Sequence, residues 1–125
     1  MKTINSFPKV KNFSNGSFIE TSSSEELEII SPTNGKVIST MSTSTKTDVS
    51  IVVKAAKEAF TEWSKKTLKE RVQVFFKYRT LLQNNIDELS KLIQLENGKT
   101  YGEAKAEIEK SIELCKFAVS MPQII

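Results

Sequence analysis

Four short stretches fix where this chain changes direction. Thr45-Lys46-Thr47-Asp48, Thr67-Leu68-Lys69-Glu70, Asn85-Ile86-Asp87-Glu88 and Thr100-Tyr101-Gly102-Glu103 each set a capping side chain three residues before an acid. In a capping box the first side chain accepts from the backbone N–H three residues on. The acid reaches back to the first residue's own N–H, so two donors that a helix start would leave unpaired are satisfied. Four such signals predict four helices from Thr45 onward, and they leave residues 1–44 for extended structure and turns.

Apolar spacing supports this division. The first predicted helix carries Val49, Val52, Val53, Ala56, Phe60 and Trp63 on one stripe, and the second carries Leu68, Val72, Phe75, Phe76 and Leu82. After a break at Asn84-Asn85 the third carries Leu89, Leu92 and Ile93. The fourth carries Ala104, Ile108, Ile112, Cys115 and Val119, and Pro122 ends it. Trp63 and the phenylalanines are expected in the core. In the first 44 residues Asn15-Gly16 lies between Phe13 and Phe18, a strong hairpin signal because both turn residues tolerate positive φ. A second hairpin is expected between Leu27-Glu28-Ile29-Ile30 and Lys36-Val37-Ile38-Ser39-Thr40, turning through Pro32-Thr33-Asn34-Gly35. Ser22-Ser23-Ser24 reads as a connecting loop.

The run Leu95-Glu96-Asn97-Gly98-Lys99-Thr100 ends like a phosphate-binding loop. Such a loop needs a second glycine five residues before the first, after a strand. Ile93 stands there, and a helix period leads in, so Gly98 is expected as a left-handed helix cap instead.

Composition then removes function classes. There is no histidine, so the usual base of nucleophilic triads and the commonest zinc ligand are both missing. Cys115 is expected to be a buried structural thiol, since a reactive one wants exposure and a basic neighbour. The net charge of +3 is spread over alternating lysines and glutamates, a solvated pattern that does not indicate a nucleic-acid partner. No apolar run approaches the roughly 20 residues of a membrane span. The first residues lack the apolar core of a signal peptide, and there is a single cysteine, so a reduced, cytoplasmic setting is expected. The chain closes on Ile124-Ile125, which suggests that further chain follows.

In this order the pieces resemble the N-terminal segment of the aldehyde dehydrogenase superfamily. The matching stretches are Lys11 to Phe18, Ile30 to Ile38, Lys54 to Ser64, Lys69-Glu70-Arg71 and Leu95 to Thr100. The resemblance implies an α/β fold: a tail over residues 1–9, then residues 10–125 as an incomplete portion of an NAD-binding domain. There two β-hairpins and about four helices pack on a Rossmann-like sheet that this chain lacks. It also implies a homo-oligomeric parent enzyme that oxidises a small semialdehyde with NAD, with CoA as a possible acyl acceptor. The catalytic cysteine, the base and the main NAD contacts lie beyond these residues, so none is assigned and the chain alone is expected to be inactive.

The opening Lys11 to Phe18 and the closing Phe117 to Gln123 are similar to the branch acting on methylmalonate semialdehyde. Glu107 to Lys116 is closer to enzymes of succinate semialdehyde. Lys110 matches the arginine with which the former branch holds its substrate's acid group, a surface lysine being the plain alternative. The family's monovalent-cation site implies the carbonyls of Ile29 and Ile30 and the carboxylate of Glu96. A non-enzymatic helical module that associates with a dehydrogenase or another protein is the rival reading of the whole chain.

Overall fold

The computed structural model describes residues 7–124, and the chain divides after Ser64 into two compact units. In the first unit, β1 (Asn12–Ser14) and β2 (Ser17–Ile19) form an antiparallel hairpin in which Phe13 pairs with Phe18. Asn15 and Gly16 have φ of 49° and 79°, the double positive φ of a two-residue turn matched to strand twist. The two phenylalanine rings meet edge to face at 5.1 Å.

A second antiparallel hairpin joins β3 (Glu26–Ile30) to β4 (Val37–Ser42), with an irregularity in register between Ile29 and Ile30. Its connection is tied by bonds from the Ser31 and Gly35 amides to the Lys36 and Ser31 carbonyls, both 2.9 Å. Residues 7–10 run beside β4, with the Phe7 and Val10 amides donating to the carbonyls of Ile38 and Thr40. Of the tail expected over residues 1–9, residues 1–6 lie outside the described set, as does Ile125 at the apolar end.

Helix α1 (Lys46–Trp63) completes this unit and starts on the expected capping box. Its stripe departs from expectation. Val49, Val53, Phe60 and Trp63 are exposed, because two narrow hairpins present no broad sheet face for an 18-residue helix to cover. The wider expectation that the aromatics are core fails likewise, since Phe13, Phe18, Phe75, Phe76 and Phe117 are also exposed. An apolar period shows which side of an element seeks burial, and a partner must still be present to bury it.

The second unit is three helices, α2 (Leu68–Asn84), α3 (Ile86–Asn97) and α4 (Tyr101–Ser120), closed by a 3-10 turn at Met121–Gln123. Helix α4 packs along both others. Leu82, Ile108, Ile112 and Cys115 form its core, with Ile86, Leu89 and Ile93 packed against them. Thr67 and Thr100 cap α2 and α4 through complete boxes.

Asn85 does not cap α3. Its backbone sits at φ −118°, ψ 17°, outside the extended region a capping residue needs, and no cap bond forms. With only Asn85 between α2 and α3, its side-chain amide instead donates to the Leu81 carbonyl at 2.8 Å and finishes the preceding helix.

Candidate functional site

The most heavily bonded carboxylate of the first unit is Asp48, which is buried at the start of α1. It accepts from the Thr45 amide and hydroxyl, both at 2.7 Å. It also accepts from the Ser22 hydroxyl at 3.1 Å and the Ser22 amide at 3.3 Å. This set of donors, led by the Thr45 amide, lowers its pKa to about 2. Asp48 therefore stays ionised and fastens the serine loop to the helix, which is a positioning task and not acid–base chemistry. Nearby, Asn12, Phe13, Ser44, Val49, Val52 and Val53 line an open groove of about 260 Å³ with Asp48 at its edge.

In the second unit the Leu95–Thr100 stretch is divided between two helix ends. Gly98 takes φ 80°, ψ 10° as the left-handed cap of α3. Lys99 pairs with Glu107 along α4, and the Thr100 hydroxyl donates to Glu103 at 2.7 Å. Hydrogen bonds from Thr100 lower the pKa of Glu103, as those from Thr67 lower that of Glu70. The lysine and threonine of the apparent phosphate motif are thus engaged by glutamates of α4 at the surface. Where α3 and α4 meet, the Tyr101 hydroxyl donates to Asp87 at 2.6 Å. The phenol's pKa is raised because that bond would be lost on ionisation and the carboxylate opposes a second negative charge.

The residues expected to bind substrate or cation are placed as follows. Lys110 is exposed on α4, whereas Ile108 and Ile112 on the same helix are buried. Ile29 and Ile30 end β3 at the register irregularity in the first unit, whereas Glu96 is exposed in the last turn of α3 in the second. Among the described residues no three His, Cys, Asp or Glu side chains form a metal-binding group. Cys115 is buried within the α2–α4 core, in keeping with a structural thiol.

Nor do these residues offer a dinucleotide cradle. Such a cradle needs glycines in a turn from a strand into a helix, where amides approach a pyrophosphate. Gly16 and Gly35 lie in hairpin connections, Gly98 caps a helix, and Gly102 is inside α4. The site residues that sequence reasoning missed are Ser22 as an anchor for Asp48, and Asp87 as the partner of Tyr101. The first contact spans 26 residues, and no local pattern announces it.

The family model described as the aldehyde dehydrogenase family matches residues 18–124. The chain belongs to the aldehyde dehydrogenase family. A malonate-semialdehyde dehydrogenase of Bacillus pumilus is 41% identical over 116 residues, covering 93% of this chain and 24% of the relative. A second, from Shouchella clausii, is 42% identical, covering 94% and 24%. A crystal structure from Sinorhizobium meliloti 1021, complexed with NAD and provisionally assigned as a methylmalonate-semialdehyde dehydrogenase, superposes with a TM-score of 0.87 at 30% identity. It is covered over 23% of its length by 92% of this chain. The chain thus spans about a quarter of the length of the relatives it matches. The fold is accordingly that of an aldehyde dehydrogenase segment, two hairpins followed by four helices. Among the described residues, no helix is long and apolar enough to cross a membrane.

Proposed function

We propose that this chain forms the N-terminal quarter of an NAD-dependent aldehyde dehydrogenase that oxidises a short semialdehyde acid, with malonate or methylmalonate semialdehyde ahead of succinate semialdehyde. The observation that carries this reading is the 41–42% identity to malonate-semialdehyde dehydrogenases over more than nine-tenths of the chain. In such an enzyme a thiolate adds to the aldehyde, hydride leaves to NAD, and the acyl thioester passes to water or CoA. The described residues supply no nucleophile with a base beside it and no cofactor cradle, so none of those steps is assigned to them.

Their part is structural. The apolar face of α1 covers a sheet supplied by the rest of the enzyme, and the Asp48 clasp and the three capping boxes hold the outer elements in place. Lys110 is the candidate contact for the substrate's acid group, a point charge where an arginine would offer a planar fork. A cytoplasmic homo-oligomer is the proposed form of the parent enzyme.

The test is a chimera in which residues 1–125 replace the matching quarter of the Bacillus pumilus enzyme, assayed by NADH formation. Turnover of malonate semialdehyde well above succinate semialdehyde, weakened in KM by Lys110→Gln, supports the reading. A folded, NAD-binding chimera that oxidises neither acid would overturn it.

A further inference from the structure

Three of the four glycines in this chain follow an asparagine, as Asn15-Gly16, Asn34-Gly35 and Asn97-Gly98. The pair is chemically labile in water. Glycine has no Cβ to shield its backbone nitrogen, and that nitrogen can add to the carboxamide carbon of the asparagine before it. All six residues are exposed, so access to solvent does not separate the three pairs. Their hydrogen bonds do.

The attacking atom is the glycine nitrogen, and where its N–H is donated it must first be released. The Gly35 amide donates to the Ser31 carbonyl at 2.9 Å. The Asn34 carboxamide oxygen accepts from the Lys36 amide at 3.0 Å, so both reacting groups of that pair are held. The Gly98 amide donates to the Gln94 carbonyl at 3.0 Å as it caps α3. In contrast, the Gly16 amide donates to no group among the described residues. A two-residue turn bonds its first residue to its fourth, which leaves the amide of the third without a partner.

We propose that Asn15 is the site at which this folded chain deamidates. The Gly16 nitrogen adds to Asn15 Cγ, its proton leaves with the carboxamide nitrogen as ammonia, and a succinimide closes. Water then opens the ring at either carbonyl, leaving aspartate or isoaspartate and one new negative charge on the hairpin. Closure requires Asn15 to rotate out of its turn at φ 49°. There the rotation opens a hairpin of three residue pairs, whereas at the other two sites a bond on the attacking nitrogen itself must also break. The two products differ in effect. Aspartate keeps the turn, since Asp-Gly suits it as Asn-Gly does. Isoaspartate carries the main chain through the side-chain carbon and lengthens the turn, so the register that sets Phe13 opposite Phe18 is lost. The assignment rests on this hairpin and stands apart from the proposed dehydrogenase reading.

The test holds the 125-residue chain, shown to be folded by circular dichroism, in mildly alkaline buffer beside a sample unfolded in urea. Peptides carrying each asparagine are then followed by mass spectrometry, with aspartate and isoaspartate separated by chromatography. In the folded chain the acid forms at Asn15 should accumulate at least about fivefold faster than at Asn34 or Asn97, the factor for opening one backbone hydrogen bond. In urea the three rates should draw together. Asn34 or Asn97 converting as fast as Asn15 in the folded chain would overturn the proposal. So would an Asn15 peptide that keeps its amide throughout, or a lead for Asn15 that persists undiminished in urea.

Discussion

Replacing Ile112 by alanine tests the core of the second unit. Ile112 is buried beside Leu82, Ile108 and Cys115. The change removes about three carbons, worth roughly 0.8 kcal/mol each in transfer, or about 2.4 kcal/mol. A cavity of about 70 Å³ would add roughly 1.7 kcal/mol if nothing moved. Ile112 also borders an open groove with Gln83, Ile86, Glu109, Glu113 and Lys116, so neighbours can shift and solvent can reach the gap. The cavity contribution should therefore be partly relieved, giving a loss of about 3 kcal/mol. Urea unfolding followed by far-ultraviolet circular dichroism reads this directly, with Leu114→Ala as control. Leu114 is exposed, and its variant should stay within about 0.5 kcal/mol of the parent. Equal losses for the two variants would refute the assignment of Ile112 to the core.

Three further predictions follow from local geometry. Thr45→Ala, Thr67→Ala and Thr100→Ala should each lower urea stability by about 1 kcal/mol, and Asn85→Ala by less, since Asn85 makes no N-cap bond to α3 and gives up only its exposed bond to the Leu81 carbonyl; equal effects at all four sites would contradict the observed caps. Asp48 is ionised more readily folded than unfolded, so its contribution is complete above the ordinary carboxylate range near pH 4. That contribution is lost as pH falls toward about 2. Asp48→Asn should flatten that part of the stability–pH curve, leaving the smaller slopes due to Glu70 and Glu103, and an unchanged curve would show the clasp to be absent. Gly98→Ala, at φ 80°, should destabilise by about 1 kcal/mol, whereas Gly102→Ala inside α4, with open space for a methyl, should stabilise by about 0.5 kcal/mol; thermal melts giving both changes the same sign would refute the backbone argument.

The elements that were legible in the sequence are those fixed by local chemistry. A threonine three residues before an acid satisfies its own helix start, and Asn15-Gly16 can adopt the double positive φ of its turn whatever surrounds it. Gly98 was legible as a cap for the same reason, and the α4 stripe was legible because its partners α2 and α3 lie within 60 residues of chain. Asn85 misled because one residue serves two helix ends, and the end of α2 claimed its side chain. The exposure of Phe60 and Trp63 was hidden because periodicity specifies a face and not what covers it.

The central claim is that these residues build outer elements of a dehydrogenase and contain no cofactor site of their own. Calorimetric titration of the folded 125-residue chain with NAD tests it most directly. The account predicts no saturable heat even at millimolar NAD, while the chimera with the remaining three quarters of the Bacillus pumilus enzyme binds and reduces the cofactor. One-to-one binding of NAD to the chain alone at micromolar concentration would contradict it.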